Sequence, residues 1–174
     1  PEGGENASIR IVNIQSNNVD NFTSKTFNFT IQDSSPIVFD LDGSGEIEVT
    51  GETTSQDKLG TEGVGDTVQF DIDGDGDLDT IEWISGSGDA LLIDNRDGNA
   101  YGDMDGSRLF GDQGGQYANG YEKLTELDAN GDGQLTGDEL AGLELWVDDG
   151  DALFEEGEAL QLSEAGIVAI SSQM

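Results

Sequence analysis

Carboxylates at regular spacing are the chemistry that this sequence offers in quantity. The stretch DANGDGQLTGDE, residues 128–139, satisfies the pattern D-x-[DN]-x-[DN]-G-x5-E in full. Asp128, Asn130 and Asp132 put side-chain oxygens at alternate positions, and Gly133 permits a sharp turn. Gln134 offers its backbone carbonyl, and Glu139 closes the loop with two oxygens. Hard oxygen donors in this order suit calcium. FDIDGDGDLDTIEW, residues 70–83, repeats the pattern with Asp71, Asp73, Asp75, Gly76 and Glu82. Asp77 and Asp79 add a second way to close that cage, so Asp79 and Glu82 both stand open as the closing carboxylate.

Three further stretches carry the same donor types less regularly. In DLDGSGEIE (40–48), Asp40, Asp42 and Ser44 keep the ligand spacing and Glu48 takes the ninth place, with no acid at the twelfth. DNRDGNAYGDMDG (94–106) supplies Asp94, Asp97, Asn99, Asp103 and Asp105 in a register that serves one ion or two, and Arg96 offsets part of the charge. DDGDALFEEGE (148–158) reads as a shortened loop using Asp148, Asp149, Asp151 and Glu158. A solvated acidic turn is the competing reading of each.

Charge says why metal should matter to the whole chain. The sequence of 174 residues holds 38 acidic and 6 basic residues, a formal charge of -32. Self-repulsion at that density opposes compaction unless cations neutralise it. Nucleic acid is excluded as a partner, because phosphate binding needs clustered Lys and Arg. The chain has neither histidine nor cysteine, so every side-chain ligand is an oxygen and thiolate or imidazole metal sites are ruled out. No apolar run approaches the roughly 18 residues of a spanning helix, so direct membrane insertion is not expected. Several calcium ions are the expected cofactor, and their binding free energy then becomes folding free energy.

The elements that must position these loops fall into two segments. Residues 1–35 form a β-rich lead-in, with ASIRIVNIQ and KTFNFTIQD alternating at the period of strands. Residues 36–174 form the calcium-binding module. Its first part reads as short strands joined by acidic loops. Tyr117, Tyr121, Leu124 and Leu127 then recur at helical spacing, and a second helix is expected from about Gly137, carrying Leu140, Leu143 and Trp146. GIVAIS (166–171) reads as a closing strand. These signals predict an α+β fold with an EF-hand-like helix-loop-helix around residues 128–139.

From Pro36 onward the chain resembles the calcium-dependent self-processing module of iron-regulated RTX proteins and its relatives in large RTX adhesins. The resemblance rests on SPIVFDLDGSG (35–45), ALLIDNRDGN (90–99), LFGD (109–112), ANGYEKLTELDANGDGQLTGDELAGLELWVD (118–148) and GEALQLSEAGIVAI (157–170), in that order. The resemblance implies calcium-triggered cleavage of an Asp-Pro bond at the start of the module. Here Ser35 precedes Pro36 and no Asp-Pro bond occurs, so no enzymatic activity is expected. LFGD usually follows an acidic residue in the family; here it follows Arg108.

The resemblance also implies a module of a large secreted adhesin on the bacterial cell surface, acting in adhesion and biofilm formation. It implies peptide-binding relatives that use calcium to hold a carboxylate-bearing chain end. The segment GDMDGSRLFGDQGGQYANGY (102–121) is the candidate binding surface, with Arg108, Asp112, Gln113, Gly114, Gly115, Gln116 and Tyr117 as the candidate contacts. Adaptable glycine and glutamine beside an aromatic ring suit a peptide groove. The expected partner is a peptide or protein on a host or neighbouring cell, met by a monomeric module within a longer chain. A calcium-stiffened spacer is the alternative.

Overall fold

The run ALLI at residues 90–93 is apolar at every position, as a strand covered on both faces must be. In the computed structural model it is the centre of the fold. The structure describes residues 36–50, 66–86 and 88–173, and the backbone of 7–11 and 27–31. Ser35 lies outside these residues. The strands are β1 (Ala7–Ile11), β2 (Phe27–Ile31), β3 (Val38–Asp40), β4 (Val68–Phe70), β5 (Asp79–Ile81) and β6 (Asp89–Asp94). After a six-residue helix, α1 (Gly120–Thr125), come β7 (Gln134–Thr136), β8 (Leu143–Trp146), β9 (Ala159–Gln161) and β10 (Ala169–Ser171).

The main sheet has the order β3-β6-β8-β9 and is antiparallel throughout. Side chains alternate across a strand, and that alternation sorts the core into two halves. Phe39, Ala90, Leu92, Leu143 and Leu145 join Tyr121, Leu124, Leu135 and Ile170 on one side. Val38, Leu91, Ile93 and Trp146 join Phe70, Trp83 and Phe154 on the other. Three two-stranded sheets complete the architecture: β1-β2, β4-β5 and β7-β10. No helix among the described residues is long and apolar enough to cross a membrane.

The α+β fold with an EF-hand helix-loop-helix does not form; the molecule is mostly β. On one side of the 128–139 loop stands only α1, whose first turn is capped by Asn119, its side chain accepting from the N–H groups of Tyr121 and Glu122. On the other side stand β7 and a single 3-10 turn, Gly137–Leu140. The misleading signal was the spacing of Leu140, Leu143 and Trp146, which a turn followed by a strand satisfies as well as a helix does. Gly142, at φ 80°, ends the turn. LELW then pairs with β6, Leu92 opposite Leu145. β7 pairs with β10, Leu135 opposite Ile170, so the loop is closed by a small sheet.

Candidate metal centres

Three loops share one backbone design. In each, the first aspartate accepts hydrogen bonds from the N–H groups three and five residues on. Asp40 accepts from Gly43 (2.6 Å) and Gly45 (2.8 Å). Asp71 accepts from Gly74 (2.7 Å) and Gly76 (2.9 Å). Asp128 accepts from Gly131 and Gly133, both at 2.8 Å. All six glycines have φ between 71° and 95°, a region where a Cβ is strained. At the third position Asp42, Asp73 and Asn130 each accept the N–H two residues on, from Ser44, Asp75 and Asp132. At the fifth, Ser44, Asp75 and Asp132 do the same toward Glu46, Asp77 and Gln134. Oxygens at positions one, three and five are thereby held in register, which is what an oxygen-ligand cation requires.

The closing groups differ. In 128–139, Glu139 spans the loop, accepting from Ala129 and Asn130 with one oxygen and from Thr136 with the other. Burial works against ionisation of Asp128, but N–H donors from Gly133, Gly131 and Asp132 and the Ser172 hydroxyl outweigh it and hold its carboxyl below the ordinary value. In 71–82 the structure brings Asp79, not Glu82, to Asp71 and Asp73. Their carboxylate oxygens lie within 4.8 Å of one another, a group able to hold a metal ion. Glu82 instead lines an apolar cleft with Pro36, Val38, Ile72 and Trp83, where its Oε1 is buried without a hydrogen-bond partner.

A second such group is Asp148, Asp149 and Glu158. Asp148 is fully buried and accepts from the Trp83 indole (2.8 Å), Gly150 and Ala152. Its other oxygen has no partner, and burial pushes its pKa up to about 6. Glu158 accepts from the Trp146 indole and from Asp149 and Glu155. Asp151 stands apart, its carboxylate accepting the Leu153 N–H.

Residues 94–108 are organised by an arginine. Arg108 is 8% exposed and donates to both Asp97 oxygens (2.9 and 3.1 Å), to Asp103 Oδ2 (3.3 Å), and to the Asp94 and Asp103 carbonyls. Its side chain lowers the pKa of Asp97. Asp94 is held by Arg96, whose hydrogen bonds overcome the effect of burial on its carboxyl. Asn99 donates to Asp97, and Asp105 caps the turn at Ser107. Two arginines thus pair three of the four acids of this stretch, and Asp105 is held by Ser107.

The candidate ligand segment folds back on itself. The Asp112 carbonyl accepts from Gly115 and Tyr117, and the Gln113 carbonyl from Gln116. The Gln113 amide donates to the Ser107 carbonyl, and the Tyr117 hydroxyl donates to Glu126. A Cβ on Gly114 would lie 3.3 Å from the Asp73 side chain. Gly106 donates to the Asp71 carbonyl (2.7 Å). The segment thus lies against the Asp71–Asp73–Asp79 group.

One acid outside every motif stretch is also buried here. Asp89, at 0% exposure, accepts the Glu48 N–H at 2.8 Å with one oxygen, while the other has no partner. Sequence reasoning missed it because no spacing rule connects it to residues 40–48.

The donor set fits a hard divalent cation. It offers carboxylate, amide, hydroxyl and carbonyl oxygens only, and the orphaned buried oxygens of Asp148 and Asp89 need a positive partner. No solved structure matches the chain. Residues 37–174 match the SPM domain, and the chain belongs to that family.

Proposed function

We propose that this chain is a calcium-folded module of a large secreted bacterial adhesin that holds a peptide or protein ligand through a carboxylate. The observation carrying this reading is the placement of the Asp71–Asp73–Asp79 group. Asp73 and Asp79 are half-buried and Asp71 is buried behind them at 9% exposure, and the irregular 106–114 segment packs against the group. A calcium ion held there supplies a cationic centre reachable from solvent, with the adaptable DQGGQ turn beside it. Arg108 is the weaker anchor, since its guanidinium is taken by Asp97 and Asp103. Secretion, the bacterial surface and a role in adhesion follow from the resemblance drawn from the sequence, with which membership of the SPM domain family agrees.

The test is binding of peptides with free C-terminal carboxylates, compared with amidated copies, in calcium and in chelator. The reading predicts binding of the free acids in calcium alone, lost in D79N. Equal binding of both peptide forms would contradict it.

A calcium-stiffened spacer is the second reading, favoured by the internal pairing of Arg108; absence of any ligand across peptide and glycan arrays would support it. Self-cleavage is not part of either reading, because Ser35 cannot form the anhydride that an aspartate forms. Mass spectrometry after calcium addition should show an intact chain.

A further inference from the structure

The loop at 40–48 carries Glu48 at the ninth place, where Asp79 stands in the 71–79 loop, but lacks the twelfth-place acid that Glu139 supplies in 128–139. Strand pairing supplies one from elsewhere. In the antiparallel β3-β6 pair, Asp40 stands directly opposite Asp89. Residues directly opposite in such a pair put their side chains on the same face, and like charges there repel. Asp40 is 9% exposed and Asp89 is 0% exposed, so water does little to relieve that repulsion.

The rest of the loop converges on the same point. Glu48 gives its N–H to Asp89 Oδ2 at 2.8 Å, and its carboxylate acts electrostatically on Asp89, as does that of Asp40. Asp42 lies against Gly88, where a Cβ would sit 2.8 Å from Asp42 Oδ2. Leu41 donates to the Gly88 carbonyl, tying the loop to the start of β6. Within this ring of acids Asp89 Oδ1 is buried and accepts nothing. A buried carboxylate facing other carboxylates takes up a proton or pairs with a cation, and above the pH where the proton leaves only the cation remains.

We infer that Asp89 completes a calcium site with Asp40, Asp42 and Glu48, so that the ion bridges the loop to the neighbouring strand β6. The site is not self-contained like the one at 128–139; it forms only when β3 has paired with β6. Filling it therefore locks the register of the main sheet. This inference rests on the proposal that the chain binds calcium.

The test counts calcium ions bound to the full chain by native mass spectrometry, with calcium titration calorimetry on chelator-stripped protein. D89N, D40N and exposed-residue variant D42N are each expected to bind one ion fewer than wild type. The D40N/D89N double variant is expected to lose that same single ion, not two. D42N keeps the buried groups intact, so it reports on the site even if D89N fails to fold. D79N serves as the reference for loss of a different ion. Full ion counts in D89N and D42N alongside a reduced count in D79N would overturn this site while leaving the calcium reading standing. A wild-type chain that binds no calcium would overturn both.

Discussion

Arg108 shows how one residue can do the work of an ion. It is buried, and its fork takes both oxygens of Asp97 while also reaching Asp103 and the Asp94 carbonyl. Planar bidentate pairing is a property of guanidinium that an ammonium lacks. R108Q is expected to destabilise the calcium-loaded module by about 1–2 kcal/mol, a value reduced because Asp97 and Asp103 are themselves largely exposed. R108K should recover little of it; chemical denaturation in calcium checks both. Asp89 and Asp148 make a second residue-scale prediction. Burial raises the carboxyl pKa of each from 3.8 to about 6. A raised folded value means that the folded state holds the proton more tightly than the unfolded one. Their contribution to stability is full below about pH 3.8 and is lost as pH rises through about 6. In chelator a thermal transition should therefore be retained only toward about pH 4 and be lost by about pH 7, where the calcium-free chain is unfolded, and D148N should reduce that loss. Calcium, by pairing the charge, should abolish it.

The loops and strands divide sharply in how much of them could be read in advance. Ligand types at alternate positions followed by glycine are local, and the three loops beginning at Asp40, Asp71 and Asp128 have one hydrogen-bond design. The flanks were not readable in the same way. Leu140, Leu143 and Trp146 fit a helix face, but the partner that makes LELW a strand is β6, some fifty residues earlier in the chain. Asp89 was invisible for the same reason: it reaches Asp40 through strand register, not through sequence spacing. Spacing leaves Asp79 and Glu82 both open as the closing carboxylate; the one brought to Asp71 and Asp73 is Asp79, which starts β5, while Glu82 lies beyond its end. Packing between loops offers an element-scale test. Gly106 donates to the Asp71 carbonyl, and a Cβ there would collide with the Ile72 carbonyl. G106A should force the 106–114 segment off the 71–79 loop, costing roughly 1–3 kcal/mol. It should also weaken peptide binding while leaving the 128–139 ion in place, which calcium counting in the variant checks.

At the scale of the molecule, the formal charge of -32 is the dominant fact. The described cations cannot balance it: Arg96, Arg108 and Lys123 are each committed to partners around residues 94–109. Buried carboxylates with one unpartnered oxygen each stand at the start of β6, Asp89, and just after β8, Asp148. Calcium bound as proposed removes repulsion at several loops at once, and these loops lie between β4 and β5, between β8 and β9, and at the entry to β7. Its free energy of binding should therefore appear as cooperative folding. Raising ionic strength with monovalent salt should replace only part of this effect, because screening weakens the repulsion between exposed charges but acts little on buried ones; thermal midpoints in salt and in calcium, compared at equal ionic strength, check that expectation.

Tryptophan emission is the most direct probe of that claim. Trp83 and Trp146 are the two tryptophans of the chain, both buried, 5.5 Å apart, and hydrogen-bonded to Asp148 and Glu158 of one candidate metal group. Chelator-stripped protein should emit as exposed indole, and calcium titration should shift the emission to the blue in a single cooperative step reversed by chelator. Buried-type emission unchanged between chelator and calcium would show that the fold stands without the ion, and would contradict the account.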